Sequence, residues 1–186
     1  MSDSHPIDDV IKSRRTNMFV DRARVVPDAV IDELCALASW APNHKRTWPW
    51  RFASITGDGR ARLGAVVSDA MAAHGDDEAK VLKARTKYER TPNVLVVGSA
   101  PGDTAERTAE NRDAVAAAVQ NLLLAATSRG IATYWGSCPK GAHAAVADFA
   151  GFDTDTHIVG IFYVGWVADE VETPARPVPT VAHITR

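Results

Sequence analysis

Two periodicities alternate along this chain. Val30, Ile31, Leu34, Leu37 and Ala38 recur at three- and four-residue spacing, which puts them on one face of a helix beginning at Pro27. Leu63, Val66, Val67, Ala70 and Met71 mark a further helix, and Val115, Val119, Leu122, Leu123 and Ala126 form the stripe of a long central helix over residues 105–129. Between them lie short apolar runs without helical spacing. Residues 51–56 end at the turn Gly57-Asp58-Gly59, residues 93–100 sit between Pro92 and Pro101, and residues 133–137 and 157–164 follow the long helix. These read as strands, the second buried on both faces. Ser4 is placed to cap a first helix, with Pro6 in its first turn and an end near Ser13. Pro42 stops the second helix, and residues 142–150 form a short last one. Residues 76–89 are densely charged, with Val81, Leu82 and Tyr88 as sparse apolar positions, and predict a solvated or lid-like helix. From Val167 onward Pro174, Pro177 and Pro179 exclude a helix and favour extended chain.

Length and charge narrow the classes. A chain of 186 residues fits one domain, 1–186, with a real core, residues 167–186 being an extended C-terminal arm. A net charge of -2 argues against a broad nucleic-acid footprint. No apolar run approaches the roughly twenty residues of a membrane span. Met1-Ser2-Asp3-Ser4-His5 lacks the basic-then-apolar build of a signal peptide, so a cytoplasmic protein is expected. Cys35 and Cys138 are isolated and in no metal-like spacing; neither a disulfide scaffold nor a metal site is expected, and Cys138 reads as a packed or partly exposed thiol, not a nucleophile.

The chemistry concentrates in two segments. Arg14-Arg15-Thr16 ends the first helical pattern, and Ala41-Pro42-Asn43-His44-Lys45-Arg46-Thr47-Trp48-Pro49-Trp50 leads into the first strand. Together they hold five cations, counting His44, with hydroxyls, an amide and indoles close by. Arginine forks bind phosphate oxygens in bidentate fashion, and short polar side chains on a loop satisfy hydroxyls. A ligand with a phosphate, a polyol and a flat aromatic ring suits that mix, and flavin mononucleotide (FMN) is such a ligand. Adjacent helical residues point about 100 degrees apart, so Arg14 and Arg15 reach one ligand only if the chain leaves the helix there.

The same segments carry a resemblance to the FMN-dependent nitroreductase family, of which this chain resembles a small, minimal member. The shared order is Arg14-Arg15, then Ala41-Pro42, then Pro49-Trp50. Gly130-Ile131-Ala132-Thr133-Tyr134-Trp135-Gly136 resembles the second flavin-contact strand, residues 158–165 the last core strand, and Pro174-Ala175-Arg176-Pro177 the tail that follows it. The resemblance implies an α+β fold, with a central, mainly antiparallel sheet surrounded by helices. It also implies a homodimer with the flavin at the subunit interface and the C-terminal arm crossing onto the second subunit. It implies cofactor contacts from Arg14, Arg15, Thr16, His44, Lys45, Tyr134, Trp135, Gly136 and Arg176, and no catalytic side chain of its own, since the chemistry lies at the flavin. Many members carry Gln before Pro-Trp; here Trp48 holds that place.

The implied activity is ping-pong reduction of nitroaromatics, quinones or related acceptors, with NADH or NADPH as donor. The donor is expected in the open cleft, because no GxGxxG follows a strand. Other readings stay open at this point: the same fold with a specialised flavin reaction such as dehalogenation or dehydrogenation, a non-catalytic flavin-binding protein, or a helical interaction domain without flavin.

Overall fold

The computed structural model describes residues 5–185. Six helices pack around one four-stranded sheet. The helices are α1 (Pro6–Ser13), α2 (Asp28–Ala38), α3 (Gly59–His74), α4 (Glu78–Thr86), α5 (Ala105–Thr127) and α6 (His143–Phe149). The strands are β1 (Trp50–Thr56), β2 (Asn93–Ser99), β3 (Ile131–Gly136) and β4 (His157–Trp166). All strand pairs are antiparallel, in the order β1-β2-β4-β3. Among the described residues no helix is long and apolar enough to cross a membrane.

Strand alternation divides the core in two, because successive side chains leave opposite faces of a sheet. Leu95, Val97, Phe162 and Val164 meet α2 and α5 on one face. Val94, Val96, Ile161 and Tyr163 meet α3 and α6 on the other. β2 is covered from both sides, and all seven of its residues are buried. This is why its sequence is a continuous apolar run instead of an alternating one. The stripe expected on α5 is buried throughout. On α2, Ile31, Leu34 and Ala38 are buried, but Leu37 is half-exposed and Trp40, just beyond the helix, is 84% exposed.

Three expectations are adjusted. Ser4 lies outside the described residues; His5 occupies the N-cap of α1, and the Asp8 carboxylate accepts its backbone N–H at 3.3 Å. Strand ends move by one or two residues, since the register with β2 and β4 carries Trp50, Ile131 and Trp166 into the sheet. The charged stretch is solvated outside yet clamped to α3, not a free lid. Ser68 Oγ donates to the Val81 carbonyl at 3.1 Å, Ala84 is buried, and Tyr88 lies in the core. Gly64 makes that packing possible, because a Cβ there would run into the backbone carbonyl of Arg85. Gly64→Ala is therefore expected to push α4 off α3 and destabilise the protein by about 1–3 kcal/mol, the usual range for overpacking. Thermal unfolding checks this, and an unchanged Tm contradicts it.

Candidate functional site

The arginine segment lies along the free edge of β3. Arg14 closes α1, its N–H bonded to Val10 O at 3.0 Å, and its ψ of 125° takes the chain out of the helix. Thr16 then pairs with Thr133 in a parallel bridge, and Asn17 N donates to Thr133 O at 3.0 Å. Residues 14–17 thus run beside β3 as the sequence required of two arginines sharing a ligand.

The chain's far end is tied to the same place. Val20 bridges Val167, Ala168 N donates to Phe19 O at 2.9 Å, and Asn17 Nδ2 donates to Asp169 O at 2.9 Å. The tail thereby brings Arg176 into electrostatic range of Arg14. The Arg14 guanidinium is held below its ordinary value by partial burial, then by Arg15, then by Arg176. Arg15 Nη1 donates to the Arg14 carbonyl at 2.7 Å. Its Nε is buried without a hydrogen-bond partner among the described residues. Three crowded cations and a spare buried donor are the signature of an anion site.

Tyr134 and Trp135 leave opposite faces of β3, so the structure does not bring both rings to one side. Trp135 Nε1 donates to Val159 O at 3.1 Å, and the indole lies against Phe162, ring centroids 5.2 Å apart. Tyr134 faces a cleft of about 310 Å³ lined by Met18, Lys87, Tyr88, Arg90, Ser137 and Tyr163. Tyr163 stacks on Tyr88, centroids 5.9 Å apart, and meets Tyr134 edge-on at 5.6 Å. Gly136 is explained by the sheet itself, since a Cβ would come within 2.9 Å of Ile161 O and 3.3 Å of the Tyr163 ring.

Lys87 and Arg90 were not singled out in the sequence, and Tyr88 was read only as an apolar position of the charged stretch. Lys87 and Tyr88 end that stretch and Arg90 follows it, in the basic-aromatic run Lys87-Tyr88-Glu89-Arg90. Burial lowers the Lys87 ammonium, against a raising contribution from Cys138, and its Nζ lies 4.9 Å over the Tyr88 ring. The Tyr88 hydroxyl is raised well above its ordinary range by burial and has no partner among the described residues. Cys138 is pushed up to about 12 by burial, which keeps it a thiol and fits the packed role read from sequence.

The second cationic segment stands elsewhere. His44–Arg46 form a short 3-10 turn before β1, with left-handed φ at Lys45 (61°), Arg46 (54°) and Trp48 (49°). Such values in bulky residues persist only where surroundings impose them. Here Asn43 and Asn111 do so. Asn43 Oδ1 accepts from Trp48 N at 2.9 Å, and Thr47 Oγ1 donates to Asn111 Oδ1 at 2.6 Å. Asn111, 1% exposed, donates in turn to Ala100 O at 3.1 Å.

The His44 ring is held over α5. Its Nδ1 lies 3.0 Å from Glu110 Oε1 and 2.8 Å from Arg107 Nη1, and Arg107 also pairs with Glu110. One nitrogen cannot serve both: protonated it donates to Glu110, and unprotonated it accepts from Arg107. Lys45 is exposed. Asn111→Ala cuts the link from Thr47 to the Ala100 carbonyl, leaving Thr47 only Asn43 and the carbonyl only Ser99 Oγ at 3.4 Å, and is expected to cost about 1–2 kcal/mol. It is also expected to raise hydrogen exchange across residues 43–48, read by mass spectrometry; unchanged exchange refutes the anchoring role.

The two groups do not meet within one chain. Arg14, Arg15, Thr16, Tyr134, Gly136 and Arg176 gather at β3, whereas His44 and Lys45 precede β1. The strand order puts β2 and β4 between them, a separation of roughly 14 Å at ~4.8 Å per strand. Each group is half of the ligand surface that the sequence suggested.

Taken together, these elements define an α+β protein, an antiparallel sheet between two helical layers, not a purely helical module. The chain belongs to the nitroreductase family: the description "Nitroreductase family" matches residues 11–166. It is 31% identical over 126 residues to "Putative NAD(P)H nitroreductase YdjA" of Escherichia coli K12, covering 67% of this chain and 69% of that protein. Among solved structures it resembles a nitroreductase-like family protein from Bacillus cereus, with TM-score 0.78, 29% identity, and coverage of 96% of this chain and 94% of that one. It also shares its fold with iodotyrosine deiodinase bound to FMN and 3-iodo-L-tyrosine, with TM-score 0.74, 19% identity, and coverage of 96% and 99%.

Proposed function

We propose that this protein is an FMN-dependent NAD(P)H oxidoreductase that reduces nitroaromatics, quinones or related acceptors, and that it works as a homodimer with each flavin between subunits. The observation that carries this is the division of the site. The Arg14, Arg15 and Arg176 edge and the His44 and Lys45 loop lie at opposite ends of the strand order, so a second subunit is what unites them. Support for association comes from exposed apolar surface: Ile7, Val10, Leu37, Trp40, Leu124 and Ala125 line an open groove between α1, α2 and α5. A second copy of this chain is its occupant, while the start of the tail, through Arg176, stays with its own subunit.

The residues present fit FMN. Arg14 and Arg176, with Thr16, hold the phosphate, and the unpaired Arg15 Nε is a donor awaiting an acceptor. Lys45 or Arg15 supplies the cation for the pyrimidine edge, and Lys87 and Arg90 extend positive charge along the Tyr134 cleft. His44 contacts the flavin from the partner. Once bound, the flavin supplies the hydride-transfer chemistry, and the protein contributes orientation and electrostatics. NADH or NADPH and the acceptor use the same open cleft in turn. Resemblance to an NAD(P)H nitroreductase by name and to an FMN-bound fold supports this reading.

The test is an absorbance scan of the purified protein, then anaerobic addition of NADPH and NADH. A flavin band near ~450 nm that bleaches and recovers with a nitroarene or quinone is expected. Flavin that binds without bleaching assigns the protein to a specialised flavin reaction or a storage role. Failure to bind added FMN refutes the site.

A further inference from the structure

We infer that Trp48 is the specificity-determining surface of this enzyme: a pre-set indole platform that grips planar aromatic acceptors. The inference rests on the flavin reading above and adds the residue that selects the acceptor. Three observations carry it. First, Trp48 holds a left-handed φ of 49°, which is costly for a bulky residue. Second, its backbone is fixed on both sides, N–H to Asn43 Oδ1 at 2.9 Å and carbonyl to Arg51 Nη1 at 3.3 Å. Third, the constraint produces no burial, for the side chain stays 56% exposed.

A single exposed indole needs no explanation, but one whose backbone is forced into an unfavourable region to present it does. The ring is steadied by Trp50, which meets it edge-on with centroids 5.8 Å apart and itself packs against the core. A T-shaped contact covers at most one face of the indole, leaving the other for a ligand. Such a face favours offset stacking on a flat, electron-poor ring, the shape shared by nitroarenes and quinones. Trp48 shares its short loop with His44 and Lys45, so a ligand they reach in the dimer also passes the indole.

The test compares Trp48→Ala and Trp48→Phe with wild type as FMN-loaded holoprotein. Nitrobenzene is the planar probe and ferricyanide the non-aromatic acceptor. Trp48→Ala is expected to raise the calorimetric Kd for nitrobenzene, and its KM, roughly tenfold, while Trp48→Phe retains most of the affinity. The ferricyanide KM, FMN retention and dimer mass stay at wild-type values. An equal loss for ferricyanide, or no loss for nitrobenzene, overturns the platform. A shift in mass or FMN retention also overturns it, making Trp48 a subunit contact. Failure of the flavin reading shows separately, as wild-type protein that stays colourless with added FMN or coloured but unbleached by NAD(P)H.

Discussion

Replacing Arg14 or Arg176 by alanine is expected to release FMN without loosening the fold. Each guanidinium offers charge-assisted hydrogen bonds to phosphate, worth about 1.5–3 kcal/mol. Each substitution is therefore expected to weaken FMN binding by roughly 10- to 100-fold, at about tenfold per 1.4 kcal/mol. The unloaded protein behaves oppositely. Arg15 and Arg176 both depress Arg14, so the three cations repel one another when no anion lies between them. Removing one relieves that repulsion, and the Tm of the flavin-free variant is expected to equal or exceed wild type. Flavin fluorescence on release gives the affinity, and calorimetry the Tm. A variant that keeps FMN while losing stability would make these arginines structural.

Two inactive variants are expected to restore each other. Arg14→Ala damages the β3 edge, and a His44→Ala/Lys45→Ala pair damages the β1 loop. If each site takes one half from each subunit, a mixed dimer holds one intact site and one doubly damaged site. Random reassociation then gives mixed dimers in about half the population, hence about a quarter of wild-type sites. The test is to mix the variants, unfold and refold them together, and count bleachable flavin. Recovery matches the shared site. No recovery, with mixed dimers confirmed by mass, places both halves within one chain and refutes the proposed geometry.

Much of the fold was legible because burial imposes periodicity. The α5 stripe from Val115 to Ala126 and the unbroken apolar run of β2 both follow from elements covered by others. The two candidate segments stood out because cations crowd both, with an amide, indoles and a closing proline in the second. Lys87 and Arg90 were hidden at the end of a run whose charge reads as solvated surface, and Tyr88 was legible there only as an apolar position. Nothing local shows that Tyr88 turns inward beneath Tyr163. Asn111 and Glu110 were hidden on α5, where helix position alone does not tell that Asn111 holds the loop at Thr47.

The sequence by itself determined the alternation of helices and strands, the family to which the chain belongs, and the residue types that a phosphate-bearing flat ligand requires. These are local properties, set by side-chain spacing and chemistry. Only the tertiary structure decided that Arg176 returns to Arg14, that Tyr134 and Trp135 part to opposite faces, and that Trp48 is held open at positive φ. Strand order alone revealed that the two cationic segments occupy opposite edges of one sheet. Pairing of distant strands depends on the packing of the whole chain, and no short stretch of sequence encodes it.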